Sequence, residues 1–485
     1  MNRKTLIWLI AIIAFGFILR LIFFSGIATS DDLLYTSYAY DMSKDSYSFP
    51  ERHQGTRLGL VYSVSVFYKL FGINDISSVL FVFLTSIAGI ILIYCFGKTF
   101  FNEKVGLVSA FLLSFFPLDV IFATKLLSDL PSAFFLSLGV FFFLFGEKTA
   151  SSLKTKISYL ASGLFIGIAY LIRETALIVL IFFIAYAVFY KKARLNYLFI
   201  FLGFIPIFLI ESYIFLINTG DFLFRYHILS AYSNVAASYG FFGRAALPYS
   251  LFYYPYIILT SLGKLGIFYP FMLVSIIYAA ICKKKGAYPL IIWLISLLLY
   301  LSFGTTSLTS YIPFFATPRY LMIITFPGIL LLAYFLTDMA KAKRKLIAPL
   351  ILGILLITSI GFVYLDKDGR QSTDNLKSIY PFISQLDKPV YTDARTKMAL
   401  EYLSGYSKDI ELKELNLWST EKNIDADLKS IREEYILINY KMIKGIVMAH
   451  PDIKFPEEVH NLPEDWIVIK KLGATAEDTV LYYAP

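Results

Sequence analysis

Cysteine is nearly missing from this chain. Its two copies, Cys95 and Cys282, lie far apart, each in or beside an apolar run. They exclude a disulfide framework and a cysteine metal cluster, and read as small apolar residues of membrane spans. Charged residues are also few, at 16% against 58% hydrophobic. A Gly-rich phosphate loop is lacking. Gly97-Lys98-Thr99 imitates the end of one, but Leu92 stands where the first glycine is required. Nucleotide binding is therefore not expected. The net charge of +9 comes without the aromatic and basic motifs of an RNA or DNA module, so nucleic acid is not an expected partner. No internal repeat or low-complexity tract is evident.

What the chain has instead is length of apolar sequence. Its hydrophobic share exceeds the roughly 45–50% of soluble domains, and the excess is gathered in long runs nearly free of charge. A polytopic α-helical membrane protein follows. About eleven transmembrane helices are predicted, over 6–24, 79–96, 105–123, 132–145, two within 157–190, 197–217, 264–281, 288–303, 321–336 and 346–365. The run 157–190 is too long for one upright helix, and a tight turn at Arg173-Glu174 divides it. Leu58–Phe71 is short for a span and reads as an interfacial helix. Lys and Arg gather in the short loops of one side. The N-terminus is thus placed in the cytoplasm and the polar outer loops outside, in a plasma membrane. Met1–Phe24 reads as an uncleaved first helix, not a signal peptide.

Composition changes near 366. Residues 1–365 form the membrane domain, and 366–485 a small C-terminal extracytoplasmic α/β domain. Strands are predicted at 389–393, 410–415, 435–440, 466–470 and 479–483. A helix is predicted at 394–403 with Gly405 as its stop.

The polar residues of the outer turns are Asp31, Asp32, His53, Arg57, Asp129, Arg173, Glu174, Arg319 and Tyr320. Carboxylates cost about 2.5–3.5 kcal/mol each at mid-bilayer, so Ser30-Asp31-Asp32-Leu33, just after the first span, sits where they are cheap. An outward-facing membrane enzyme without nucleotide can draw on a polyprenyl-phosphate carrier. Sugar transfer from one needs a carboxylate to take the acceptor proton and positive charge for the departing phosphate. Asp31 or Asp32 suits the first task. Arg173, Arg319 or Arg57 suits the second, because guanidinium matches phosphate bidentately. Two or three carboxylates, Asp31 with Asp129 among them, also suit a divalent metal ion as cofactor. Blander roles compete. Asp31-Asp32 and Asp129 fit helix starts, Arg173 and Arg319 fit interfacial anchors, and His53 fits an exposed loop. Arg20 reads as a strut to a buried carboxylate. Glu211, deep in a span, calls for a partner not identifiable from sequence.

The order of these residues resembles the GT-C superfamily of glycosyltransferases, in its protein-mannosyltransferase and aminoarabinose-transferase-like branch. The similarity runs through Arg20-Leu21, Asp31-Asp32 with Tyr35, Leu70-Phe71-Gly72, Pro117, Ser128-Asp129-Leu130-Pro131, Arg173 and Pro318-Arg319-Tyr320 with Pro327. It covers roughly 6–365. The resemblance implies a dolichyl- or undecaprenyl-phosphate sugar donor, inversion at the sugar, and a lipid, glycan or protein acceptor. It also implies Asp31 as the base, Asp32 and Asp129 shaping the acceptor or metal site, and Arg173 and Arg319 on donor phosphate. Tyr35, His53, Glu174 and Tyr320 are further candidates for substrate contact. The family often has His-Pro-Pro where this chain has His53-Gln54-Gly55. The tandem Trp of oligosaccharyltransferases is absent, so transfer of a whole glycan to Asn is not expected. The alternatives are a transporter or flippase of lipid-linked sugars, and a membrane-anchored binding module acting through its tail. Against a transporter, the acidic residues sit at span ends and not at the midplane.

Overall fold

A computed structural model describes residues 2–28, 30–192, 194–238, 249–306, 311–314, 317–340, 346–365, 370–407, 409–415, 428, 430–443, 462–472 and 478–485. Its helices are α1 (Arg3–Ile22), α2 (Asp31–Ser43), α3 (Leu58–Phe71), α4 (Asp75–Phe100), α5 (Glu103–Ser114), α6 (Pro117–Phe122), α7 (Asp129–Lys148), α8 (Ser152–Ile172), α9 (Val179–Phe189), α10 (Leu198–Thr219), α11 (Phe224–Ser238), α12 (Tyr249–Thr260), α13 (Leu262–Leu265), α14 (Phe268–Ile281), α15 (Tyr288–Phe303), α16 (Thr325–Met339), α17 (Ile347–Leu365), α18 (Arg370–Ile383) and α19 (Ala394–Leu403). The strands are β1 (Val390–Thr392), β2 (Leu412–Glu414), β3 (Glu434–Asn439), β4 (Ile467–Leu472) and β5 (Thr479–Ala484).

Among the described residues, eight helical segments are long and apolar enough to cross a membrane. They contain α1, α4, α7, α8, α10, α15, α16 and α17. Three further runs expected to span are shorter or broken. The 105–123 run divides into α5 and α6, because Pro117 has no N–H to continue a ladder and fits the first turn of a new helix. The other two are Glu174–Phe189 and α14. The predicted break at Arg173-Glu174 is present. α8 stops at Ile172, Arg173 is extended (φ −158°, ψ 127°), and Glu174 opens a 3-10 turn leading into α9. α12 has 12 residues and an internal Pro255.

The chain forms two compact units. The first comprises Met1–Phe24, Ser48–Ser63 and Val79–Asp366. Small residues set its helix spacing, as in membrane bundles generally. At Gly163 of α8 an added Cβ would lie 1.9 Å from the Ile200 carbonyl oxygen, and at Gly203 of α10 2.1 Å from that of Leu160. These helices therefore pack backbone to backbone, which fixes where the end of α8, and with it Arg173, emerges. The segment Pro318–Met339, containing α16, is 89% buried over its most apolar stretch, whereas α17 is 22% buried. One lies at the centre of the bundle and the other at its margin.

The second unit comprises Ser25–Tyr47, Val64–Ser78 and Lys367–Pro485. Two segments from the first outer loop thus fold with the tail. Its sheet runs β2-β1-β3-β5-β4, with β1 parallel to β2 and β3, and β5 antiparallel to β3 and β4. All five predicted strands and the predicted helix α19 are present, within two residues at their ends. Alternate residues Ile436 and Ile438 of β3 enter a core with Val480, Ala484 and Trp466, the period-2 pattern of a sheet face. Asp393 caps α19, its carboxylate accepting from the Thr396 amide at 2.8 Å.

Candidate active site

In the membrane unit the outer-turn arginines gather about the start of α7. Ser128 and Asp129 open that helix. Ser128 Oγ accepts from Arg57 Nη1 and from Arg173 Nη1, both at 3.2 Å. Arg173 Nη1 also pairs with Asp129 Oδ2 at 2.7 Å, and Arg319 Nε lies 3.9 Å from the same oxygen. The Arg173 guanidinium stacks on the Tyr320 ring, 4.7 Å from its centroid, a geometry that favours a cation over the ring face. Extended Thr317 and the 3-10 turn begun by Pro318 deliver Arg319 and Tyr320. Arg57 immediately precedes α3 and grips Glu174 with two bonds, Nε to Oε2 at 3.2 Å and Nη2 to Oε1 at 2.8 Å.

Arg225 of α11 completes the cluster, and sequence reasoning passed it over. Its Nη1 reaches Glu211 at 2.7 Å and the Tyr170 carbonyl at 2.9 Å, and its Nη2 lies 3.9 Å from Glu174 Oε2. Arg225 is therefore the partner that the lone Glu211 required. The signal was present as two charges of opposite sign on consecutive helices, with Asp221 the one charged residue between them. The guanidiniums of Arg57, Arg173, Arg225 and Arg319 thus meet the carboxylates of Asp129, Glu174 and Glu211.

Asp129, Arg173, Thr175, Arg319 and Tyr320 line a cavity of about 10 Å³ together with Leu301 and Met322, about the volume that admits one water. Arg173 and Asp129 are almost fully buried, while the Arg319 side chain keeps 25% of its surface exposed. His53 lies apart from these pairs. Its ring packs on Tyr232 at 4.3 Å.

The acidic pair belongs to the second unit and opens α2. Asp31 is partly exposed, and Asp32 is buried. Both Asp32 oxygens accept from backbone. Oδ1 takes the amides of Ser30 at 2.8 Å and Leu33 at 3.1 Å, and Oδ2 takes that of Ala28. Burial is the main influence on this carboxyl and pushes its pKa up to about 6. The amides of Ser30, Ala28 and Leu33 oppose that rise, and the Asp31 charge adds to it. Asp32 thus ties the loop to its helix. Tyr35, one turn on, is fully buried and belongs to the packing of α2.

Among the described residues no three His, Cys, Asp or Glu side chains form a group able to hold a metal ion. The cation expected on Asp31 and Asp129 is disfavoured at Asp129, which already faces two guanidiniums. The residues do not fit a metal there, and no chemical step is routed through one.

Residues 58–214 match the family model of dolichyl-phosphate-mannose-protein mannosyltransferase. Among solved structures, ArnT from Cupriavidus metallidurans, in the apo state and bound to undecaprenyl phosphate, superposes with TM-score 0.60 at 14% identity, covering 98% of this chain and 97% of that one. The Archaeoglobus fulgidus oligosaccharyltransferase in complex with Zn and sulfate gives TM-score 0.59 at 13% identity, over 98% of this chain and 73% of that one. AglB from the same organism, with an inhibitory peptide and a dolichol-phosphate, gives TM-score 0.56 at 11% identity, over 91% and 70%. No curated protein sequence matches. The fold is thus similar to that of ArnT and of the Archaeoglobus fulgidus oligosaccharyltransferase.

Proposed function

We propose that this chain is a membrane glycosyltransferase that moves a sugar from a polyprenyl-phosphate carrier to a hydroxyl of a lipid, glycan or protein acceptor on the outer face of the membrane. The observation that carries the reading is the convergence of Arg173 and Arg319 on Asp129 at the start of α7, where the Arg319 side chain keeps part of its surface exposed. A phosphate presents the same oxygen geometry to a guanidinium as a carboxylate does, so the donor competes with Asp129 for these two side chains. The ligands named for the ArnT and AglB structures, undecaprenyl phosphate and dolichol-phosphate, support that choice of carrier.

The chemistry balances without a cofactor. Asp31 takes the proton of the acceptor hydroxyl as its oxygen bonds to the anomeric carbon. The bond from that carbon to the phosphate oxygen breaks on the opposite side, which inverts the centre. The phosphate leaves with the electron pair, its charge held by Arg173 and Arg319. Asp32, fixed by three amides, holds the turn that presents Asp31. Arg57, Glu174, Arg225 and Glu211 brace the cluster from behind. The N-terminus then lies in the cytoplasm and the acidic turn outside, a reading supported by the basic short loops.

The test is direct. Membranes carrying the chain are given radiolabelled polyprenyl-phosphate sugars, and label is followed into lipid, glycan and protein fractions. Transfer by the wild type and its loss in Asp31→Asn, by on the order of 10²–10⁴-fold for a missing general base, is expected. Unchanged transfer by Asp31→Asn contradicts the role of Asp31. The flippase reading has no specific observation in its favour.

A further inference from the structure

The tail that follows the last span has no part in the chemistry above, yet it folds as one unit with the segment bearing Asp31 and Asp32. The contacts within that unit are specific. Tyr406 donates its hydroxyl to Thr36 Oγ1 of α2 at 2.8 Å. Its ring stacks on Tyr40 at 4.5 Å between centroids and 19° between planes. Thr36 and Tyr40 are four residues apart, so both face one side of α2. Asp32, four residues earlier, continues that side. Two further ties run from the tail to the base of α4. Asp75 accepts from Lys377 of α18 at 2.5 Å and from the Tyr402 hydroxyl of α19 at 2.9 Å.

Tyr406 is held in an unusual backbone state to make these contacts. α19 ends at Ser404, after which Gly405 (φ 63°) and Tyr406 (φ 61°) both turn left-handed. The Tyr406 amide reaches back to the Glu401 carbonyl at 2.7 Å, and that of Gly405 to the Tyr402 carbonyl at 2.9 Å. This is the Schellman pattern of helix ends, but a left-handed aromatic residue is rare. The turn aims the phenol back along α19 onto α2.

We infer that the C-terminal tail is the positioning element of the acidic helix, with Tyr406 as the residue that locks α2 through Thr36 and Tyr40. The inference rests on Asp31 acting as base. It assigns Tyr406 no contact with substrate. Its work is to keep the first turn of α2 from swinging, because a base displaced by about 1 Å can lose 10²-fold in rate.

The experiment uses the full chain in nanodiscs and two readouts. Hydrogen exchange of peptides spanning 31–43 is measured for the wild type, Tyr406→Ala and Thr36→Val. Turnover of a labelled polyprenyl-phosphate sugar is measured for the same proteins, with Lys413→Ala as a tail variant outside the lock. Faster exchange in α2 is expected for both lock variants, Thr36→Val leaving the tail itself intact. Turnover is expected to fall in kcat by about tenfold or more while KM for the donor moves less than about twofold, as for a misplaced base. Tyr406→Phe, which keeps the stack on Tyr40 but loses the same hydrogen bond, falls together with Thr36→Val. Lys413→Ala matches the wild type. Unchanged exchange in α2 for both lock variants overturns the lock. Changed exchange with an equal loss in KM and kcat overturns its positioning role. If Asp31→Asn retains turnover, the base assignment falls, while the exchange data still decide whether the tail locks α2.

Discussion

Two arginine sites in the membrane unit invite comparison. Arg20, on α1, is fully buried and makes four hydrogen bonds. Its Nε bonds Ser86, its Nη1 bonds the carbonyls of Gly16 and Ser114, and its Nη2 meets Asp119 at 2.5 Å. One guanidinium faces one carboxylate, and Ser86 bonds that carboxylate as well. The cluster at the start of α7 differs in exposure. Arg173 and Arg319 both approach Asp129, and Arg319 keeps part of its surface exposed. A closed, neutral site spends its hydrogen bonds on holding α1, α4 and α6 together. A site with an exposed arm can take an anion from solvent. Arginine in a membrane protein is thus read by what its guanidinium faces and by whether solvent reaches it.

The comparison can be broken by stability measurements. Removing the Asp119 carboxylate by Asp119→Ala leaves Arg20 buried and uncompensated, a loss of about 3–5 kcal/mol for a broken buried pair. Thermal unfolding of the purified protein in detergent should reveal it, with poor recovery of folded protein. A near-wild-type melting temperature would mean that Arg20 is not a strut.

Asp32 supplies an intermediate case, a carboxylate braced by amides instead of a guanidinium. Its pKa in the folded chain, about 6, lies above the ordinary 3.8. The folded state therefore holds this proton more tightly than the unfolded one. Its contribution to stability is fully present below about pH 3.8 and is lost as pH rises through about 6. The span corresponds to on the order of 3 kcal/mol at 1.36 kcal/mol per unit. Unfolding of wild type and Asp32→Asn across pH 3.5–7 should show that slope only in the wild type. A parallel pair of curves contradicts it.

The smallest effect belongs to the open site. Arg319→Gln removes a side chain that keeps a quarter of its surface exposed, so stability should change by no more than about 1 kcal/mol. A loss as large as that of Asp119→Ala would erase the distinction between the two arginines.

Much of this was legible in the sequence because it depends on local rules. Hydrophobic runs marked the spans, and the alternation and turn residues of the tail marked all five strands. Arg20 was readable as a strut, since a lone charge inside a run must find a partner. The partner, Asp119, was not, because it lies on the far side of the break at Pro117, and pairing across helices is decided by packing. The same limit hid Arg225 from Glu211. The division into units was the least visible feature. Residues 25–47 and 64–78 join a tail some three hundred residues later, through contacts such as Tyr406 on Thr36, for which neither periodicity nor composition carries a signal. Three of the eleven expected spans emerged as short or broken helices, one of them for a local reason, Pro117.

The most direct test is the binding of undecaprenyl phosphate to the purified chain, measured against the uncharged alcohol of the same length. If the guanidinium pair seats the donor phosphate, the wild type binds the phosphate more tightly than the alcohol. In Arg173→Gln and Arg319→Gln that preference falls by about tenfold or more, as when a charge-assisted bond of roughly 1.5–3 kcal/mol is lost. Equal affinity for phosphate and alcohol, or an unchanged preference in both variants, would contradict it.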